Sequence, residues 1–179
     1  MPEFFALLVI AGVFLAIVYG VVKIARAFVA RIVVQEYERA VLFRNGRLVG
    51  ALEPGAYWLR TLFPAHTWRI VDLRERVQVV PGQEIPTSDA VSVKISLAVV
   101  FSVVDPVKAV LQAENFQQVL YNALQVVLRD AVAALDVDAL LEKRAELGTR
   151  LQEQTAPQLE RYGLTLHSAQ VRDIMFPGT

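Results

Sequence analysis

The chain has 179 residues, 18 basic and 18 acidic, so it lacks the basic excess with which nucleic-acid-binding proteins neutralise phosphates, and no nucleic-acid partner is expected. It contains no cysteine, which excludes disulfides, thiolate metal ligands and cysteine nucleophiles. Hydrophobic residues make up 55%, a share inflated by one N-terminal stretch but still ample beyond it for one domain or two small ones.

That stretch runs from Phe4 to Val22 and holds no charged residue. As a helix rising about 1.5 Å per residue it would reach about 28 Å, near the ~30 Å hydrocarbon thickness of a bilayer. The sequence therefore predicts a transmembrane or membrane-inserted helix, with Phe4, Leu8, Val13, Leu15 and Val22 among its anchoring side chains. Spanning and re-entrant insertion both satisfy the pattern. A cleaved signal peptide fits poorly, because the start is Met-Pro-Glu rather than basic and the apolar run is too long. Lys23, Arg26 and Arg31 follow the run, which places the bulk of the chain on the cytoplasmic side of the cell membrane by the positive-inside rule. Residues 24–34 read as a continuation of the helix, either an amphipathic stretch against anionic headgroups or a plain stalk.

From Val34 the pattern changes to short strands. Arg39–Arg44 reads as a strand, Asn45-Gly46 as a hairpin turn and Arg47–Val49 as the returning strand. Glu53-Pro54-Gly55 is a second turn before Ala56–Leu59. Residues 61–68 form a predicted loop rich in large apolar side chains. Trp58, Leu62, Phe63 and Trp68 are thus a candidate membrane-interface group, with the cap of a small sheet as the equal alternative. Val71, Leu73, Val77 and Val79 alternate with polar residues, a loop is expected from Pro81 to Asp89, and every odd position from Val91 to Val103 is apolar. The second half of that strand, 98–104, is apolar on both faces except Ser102, so Val99, Val100 and Phe101 are candidate oligomer contacts. Asp105-Pro106 starts a short helix to about Gln112, Asn115 caps a second, and Asp136 or Asp138 opens a third that should kink or split near Pro157 and end at Gly163. A last strand runs from Leu164 to about Ile174.

Catalytic chemistry finds no constellation in the sequence. Ser92, Ser96 and Ser102 fall on the polar side of an alternating strand, Ser88 lies in a turn-like Thr87-Ser88-Asp89, and neither Ser168, His66 nor His167 sits in a motif. Two distant histidines without cysteine do not make a metal site, no phosphate-binding glycine motif is present, and no cofactor is expected.

The order of features resembles the stomatin/prohibitin/flotillin superfamily, with its SPFH or Band 7 domain, most closely the bacterial slipin branch. The resemblance rests on the run Glu36–Arg44 with Gly46-Arg47-Leu48, on Pro54-Gly55, and on Val71-Asp72-Leu73-Arg74. It continues through Pro81-Gly82-Gln83-Glu84, Thr87-Ser88-Asp89, Val104-Asp105-Pro106, Leu128-Arg129 and Val171-Arg172-Asp173-Ile174. It implies an α+β fold: an anchor and juxtamembrane helix over 1–32, a mostly β subdomain over 33–90, and a second subdomain of strand, helices and strand over 91–179. It further implies a non-enzymatic membrane scaffold that homo-oligomerises and organises lipids and membrane proteins, or alternatively a regulator of a membrane-bound serine protease. Gly82 replaces a second proline common in the family. Relatives continue into a coiled coil beyond the position of Phe176, which implies a truncated polypeptide or a short member.

Overall fold

The computed structural model describes residues 12–21, 23, 28–61 and 64–176. Residues 12–21 form a helix, α1, whose side chains, Val13 and Leu15 among them, are exposed. The expected anchor residues Phe4, Leu8 and Val22 lie outside the described residues, and among the described residues no helix is long and apolar enough to cross a membrane.

The domain begins with a correction. Val29–Val34 is a strand, β1, and not the end of a helix; residues 24–27 lie outside the described residues. Four of its six residues are β-branched, which stiffens them toward extended backbone, and their burial alternates with period two. β1 pairs antiparallel with β4 (Gly55–Arg60), from Val29↔Arg60 to Val34↔Gly55. This ribbon packs on a three-stranded sheet of order β3-β2-β5, comprising β2 (Glu38–Arg44), β3 (Arg47–Leu52) and β5 (His66–Asp72). Asn45 and Gly46 make the β2–β3 turn with φ of 50° and 76°, the left-handed pair that the Asn-Gly signal foretells. Alternation along β2 then sorts the layers. Ala40 joins Ile32, Val34, Leu52, Tyr57, Leu59 and Trp68 beneath the ribbon, whereas Val41 and Phe43 join the main core.

The second sheet has the order β6-β7-β8, from β6 (Arg76–Pro86), β7 (Ser92–Val103) and β8 (Leu164–Met175). The boundary expected at residue 90 falls between two paired strands, because β6 pairs with β7 from Arg76↔Phe101 to Pro86↔Ser92. The chain passes from one sheet to the other at Leu73–Glu75. The loop expected from Pro81 is also strand: the register shifts between Val80 and Gln83, so Pro81 and Gly82 form a bulge and pairing resumes to Pro86. Val93, Ile95, Leu97, Val99, Phe101 and Val103 all point into the core, as the odd-position pattern predicts. α2 (Pro106–Gln112) packs on β2 and β3 of the first sheet, while α3 (Phe116–Ala133), α4 (Val137–Glu142) and α5 (Arg144–Glu160) lie above the second. Asp105, Asn115 and Asp136 cap α2, α3 and α4 by accepting backbone N–H bonds. The third predicted helix does divide, but at Lys143; Pro157 stays inside the last turns of α5. Gly163 then turns the chain with a φ of 68°.

The passage between the sheets is tied down. Arg74 grips Asp72 with Nη2···Oδ2 at 2.7 Å and stacks 4.1 Å from the Tyr37 ring centroid, and Arg76 lies 3.5 Å from the same carboxylate. The Arg74 hydrogen bond, opposed in part by desolvation, holds the Asp72 carboxyl down to about 2 from its ordinary 3.8. A depressed carboxylate contributes stability above its unfolded value and loses it as pH falls. The urea midpoint of the wild type should therefore exceed that of Asp72→Asn at pH 6, with the gap closing as pH drops from about 4 toward about 2. A gap independent of pH would show that the ion pair is not what holds the passage.

Candidate functional site

The features that distinguish this surface are faces, not clefts. On the outer side of the β1–β4 ribbon the register sets Val29 opposite Arg60, Arg31 opposite Trp58 and Val33 opposite Ala56. All six are exposed, with Trp58 at 70% and Val33 at 48% of full accessibility. The Arg31 guanidinium lies 5.8 Å from the Trp58 ring centroid. An exposed indole between a cation and aliphatic side chains matches the chemistry of a headgroup boundary, where Trp is favoured.

The two tryptophans of the group expected at the interface do not stay together. Trp58 is on β4 and open to solvent, whereas Trp68 is on β5, half-buried in the cluster beneath the ribbon. Trp68 thus takes the core role, and the strand that carries it shortens the expected 61–68 loop at His66. Leu62 and Phe63 lie outside the described residues.

The expected oligomer contacts also separate. Val99 and Phe101 face inward, 0% and 1% exposed, and are corrected to core residues. Val100 is on the opposite face, paired with Val77, and beside Val79 and Ala98 on the outside of the second sheet. Val77 is 67% exposed, so the apolar side of the strand that Val77 and Val79 were expected to form is open and makes an aliphatic patch with Val100.

The fold does bring one serine and one histidine into contact. Ser102 Oγ lies 2.8 Å from His167 Nε2, across the β7–β8 pair. Glu75 Oε1 is 3.9 Å from that same nitrogen, so the carboxylate does not orient the ring from its far side as a nucleophile–base–acid relay requires. His66 instead sets Nδ1 2.9 Å from the Arg60 carbonyl. Thr87, Ser88 and Asp89 make a turn, with Ala90 N–H donating to the Thr87 carbonyl; the Thr87 hydroxyl bond lowers the Asp89 carboxyl. Among the described residues no three His, Asp or Glu side chains converge as metal ligands.

The groove between α5 and β8, about 650 Å³ in volume, is lined by side chains that bond to the strand's backbone. Arg144 Nη2 donates to the Val171 and Arg172 carbonyls, and Gln152 Nε2 to those of Leu166 and His167, so the free edge of β8 is capped by side chains. On β6, Gln78 and Gln83 donate to the carbonyls of Val79 and Pro81, and Gln83 also to the Tyr121 hydroxyl of α3. The bonds from α5 occupy four β8 carbonyls that a foreign strand would otherwise meet.

Two linked β units, the second roofed by helices, define an α+β module. The SPFH domain / Band 7 family matches residues 32–179. A stomatin homolog of Pyrococcus horikoshii is 39% identical over 145 residues, covering 81% of this chain and 54% of that protein. Stomatin-2 of Caenorhabditis elegans is 31% identical over 147 residues, covering 81% of this chain and 39% of its own length. The chain belongs to the SPFH domain / Band 7 family. It spans about half the length of the two Pyrococcus relatives that it matches, and the spread from archaea to animals singles out no bacterial branch.

Proposed function

We propose that the chain is a non-enzymatic membrane scaffold: a domain held beside the bilayer that associates with copies of itself and so organises the lipids and proteins around it. The observation that carries this reading is the outer face of the β1–β4 ribbon, where Val29, Val33 and Trp58 are exposed immediately downstream of the uncharged run 4–22. The patch of Val77, Val79 and Val100 supports self-association, since copies confined to one membrane meet at raised effective concentration and weak apolar contacts suffice.

The test is size and composition after mild detergent extraction of the full chain from membranes. Cross-linking should trap multimers of the chain alone, and Val77→Asp with Val79→Asp should shift them toward monomer without lowering the melting temperature. A wild-type monomer would defeat the scaffold reading. Recovery of a membrane-bound serine protease in stoichiometric amount would replace it with a docking role.

A further inference from the structure

The first β unit is electrically polarised from end to end. Antiparallel pairing gathers Arg44 opposite both Arg47 and His66, and Arg60 opposite Val29, at one end. Bonds tie each layer off there, Asn45 and Ala65 exchanging bonds of 2.8 and 3.0 Å within the sheet and Thr61 N–H donating to the Phe28 carbonyl within the ribbon, while His66 Nδ1 beside the Arg60 carbonyl joins the two layers. The opposite end carries Glu36, Glu38, Glu53 and Asp72.

The two ends differ in how their charges are satisfied. The acidic end has its own cations: Glu53 pairs with Arg39 at 3.0 Å, and Asp72 with Arg74 and Arg76. At the basic end Arg44, Arg47 and Arg60 are exposed, and none has an ion pair among the described residues. This asymmetry weakens the case for head-to-tail stacking of copies, because Glu53 and Asp72, two of the four acids at that end, already hold arginines. It favours an external anionic partner at the basic end. That end is also where the chain enters the domain, at Phe28 and Val29, a few residues after the uncharged run and just beyond Lys23 and Arg26 in sequence.

We propose that Arg44, Arg47 and Arg60 form a contact for the phosphate groups of anionic phospholipids, with Trp58 and Arg31 at its margin, so that the domain stands with this end on the headgroups. The inference rests on the membrane reading above and adds a lipid class to it. Guanidinium groups suit the role, since each offers paired donors to phosphate oxygens and stays charged at any physiological pH. Acting within a screening length of the surface, three such groups have a large effect at low salt and a small one at high salt.

The chain has no native cysteine, so a single label can be placed at will. The full chain carrying Thr61→Cys with a fluorophore, at the basic end, is reconstituted in phosphatidylcholine vesicles with or without added phosphatidylglycerol. Quenching by lipids brominated near the headgroup should be strong with phosphatidylglycerol, fall at least several-fold without it, and fall again in high salt. A label at Gln35→Cys, toward the opposite end, should be quenched in neither. Arg44→Gln, Arg47→Gln and Arg60→Gln together should abolish the dependence on phosphatidylglycerol. The charge-reversed triple glutamate variant should do the same, and circular dichroism reports whether each remains folded. Equal quenching in both lipids would overturn the lipid class yet leave the membrane reading standing. A change in oligomer size without a change in quenching would overturn it in favour of a protein contact. Failure of the full chain to enter vesicles of either kind would sink the membrane reading itself.

Discussion

Gly148→Ala is expected to destabilise the domain by about 3 kcal/mol or more, although a glycine-to-alanine change inside a helix ordinarily stabilises by up to about 1 kcal/mol. The sign reverses because α5 lies directly on β8. A Cβ on Gly148 would stand 2.3 Å from the Ala169 carbonyl oxygen, a backbone atom that cannot rotate away. Relief requires α5 to lift, and lifting it stretches the Arg144 and Gln152 bonds to the β8 carbonyls on either side. In a domain of this size the loss corresponds to a melting temperature lower by roughly 10 °C. An unchanged or higher melting temperature would mean that the helix does not sit where it is placed.

The second large effect is expected at Phe101. It is the bulkiest side chain fully enclosed by the core, and truncation to alanine should cost about 3–5 kcal/mol through lost burial and the cavity left behind. Val100→Ala, one residue away on the outer face, should cost no more than about 1 kcal/mol. Urea denaturation of the two variants separates the readings of this stretch. Were Phe101 an intermolecular contact, its loss would reduce oligomer size and spare the stability of the monomer.

Much of this architecture was legible from local chemistry. The caps at Asp105, Asn115 and Asp136, the Asn45-Gly46 turn and the odd-position core of β7 each depend on a few neighbouring residues, and each appears where its pattern places it. What escaped depends on partners distant in sequence. β1 follows an apolar run that reads as helix, and only its pairing with β4 fixes it as strand. Trp68 carries no periodic signal that separates a loop from an edge strand; its place is decided by Ile32, Val34 and Tyr57 packing from another layer. Pro157 looks like the natural breaker, yet near the end of α5 it removes little helical bonding. The actual break at Lys143 has neither glycine nor proline to announce it.

The surfaces were legible unevenly for the same reason. Trp58 was identifiable as a candidate interface side chain from its type and its nearness to the uncharged run, and what the structure adds is that it stands exposed on β4. The inclusion of Val99, Val100 and Phe101 in one contact set conflicts with the two-residue period of the strand that holds them, since neighbours must face opposite ways. The basic end had no sequence signature at all. Arg44, Arg47 and Arg60 are interleaved with Glu38 and Glu53 along the chain, and antiparallel folding alone sorts them by sign.

On the scaffold reading proposed above, the side-chain capping of β8 bears on how copies meet in the membrane. Molecules confined to two dimensions collide often and at fixed tilt, which favours one bare strand templating on the next into an unending, fibre-like sheet. With β8 carbonyls already claimed by Arg144 and Gln152, that margin is less open to a foreign strand, and packing through side-chain faces gains the advantage there. Contacts of that kind can be broken and remade, so a scaffold built from them would stay fluid without setting solid.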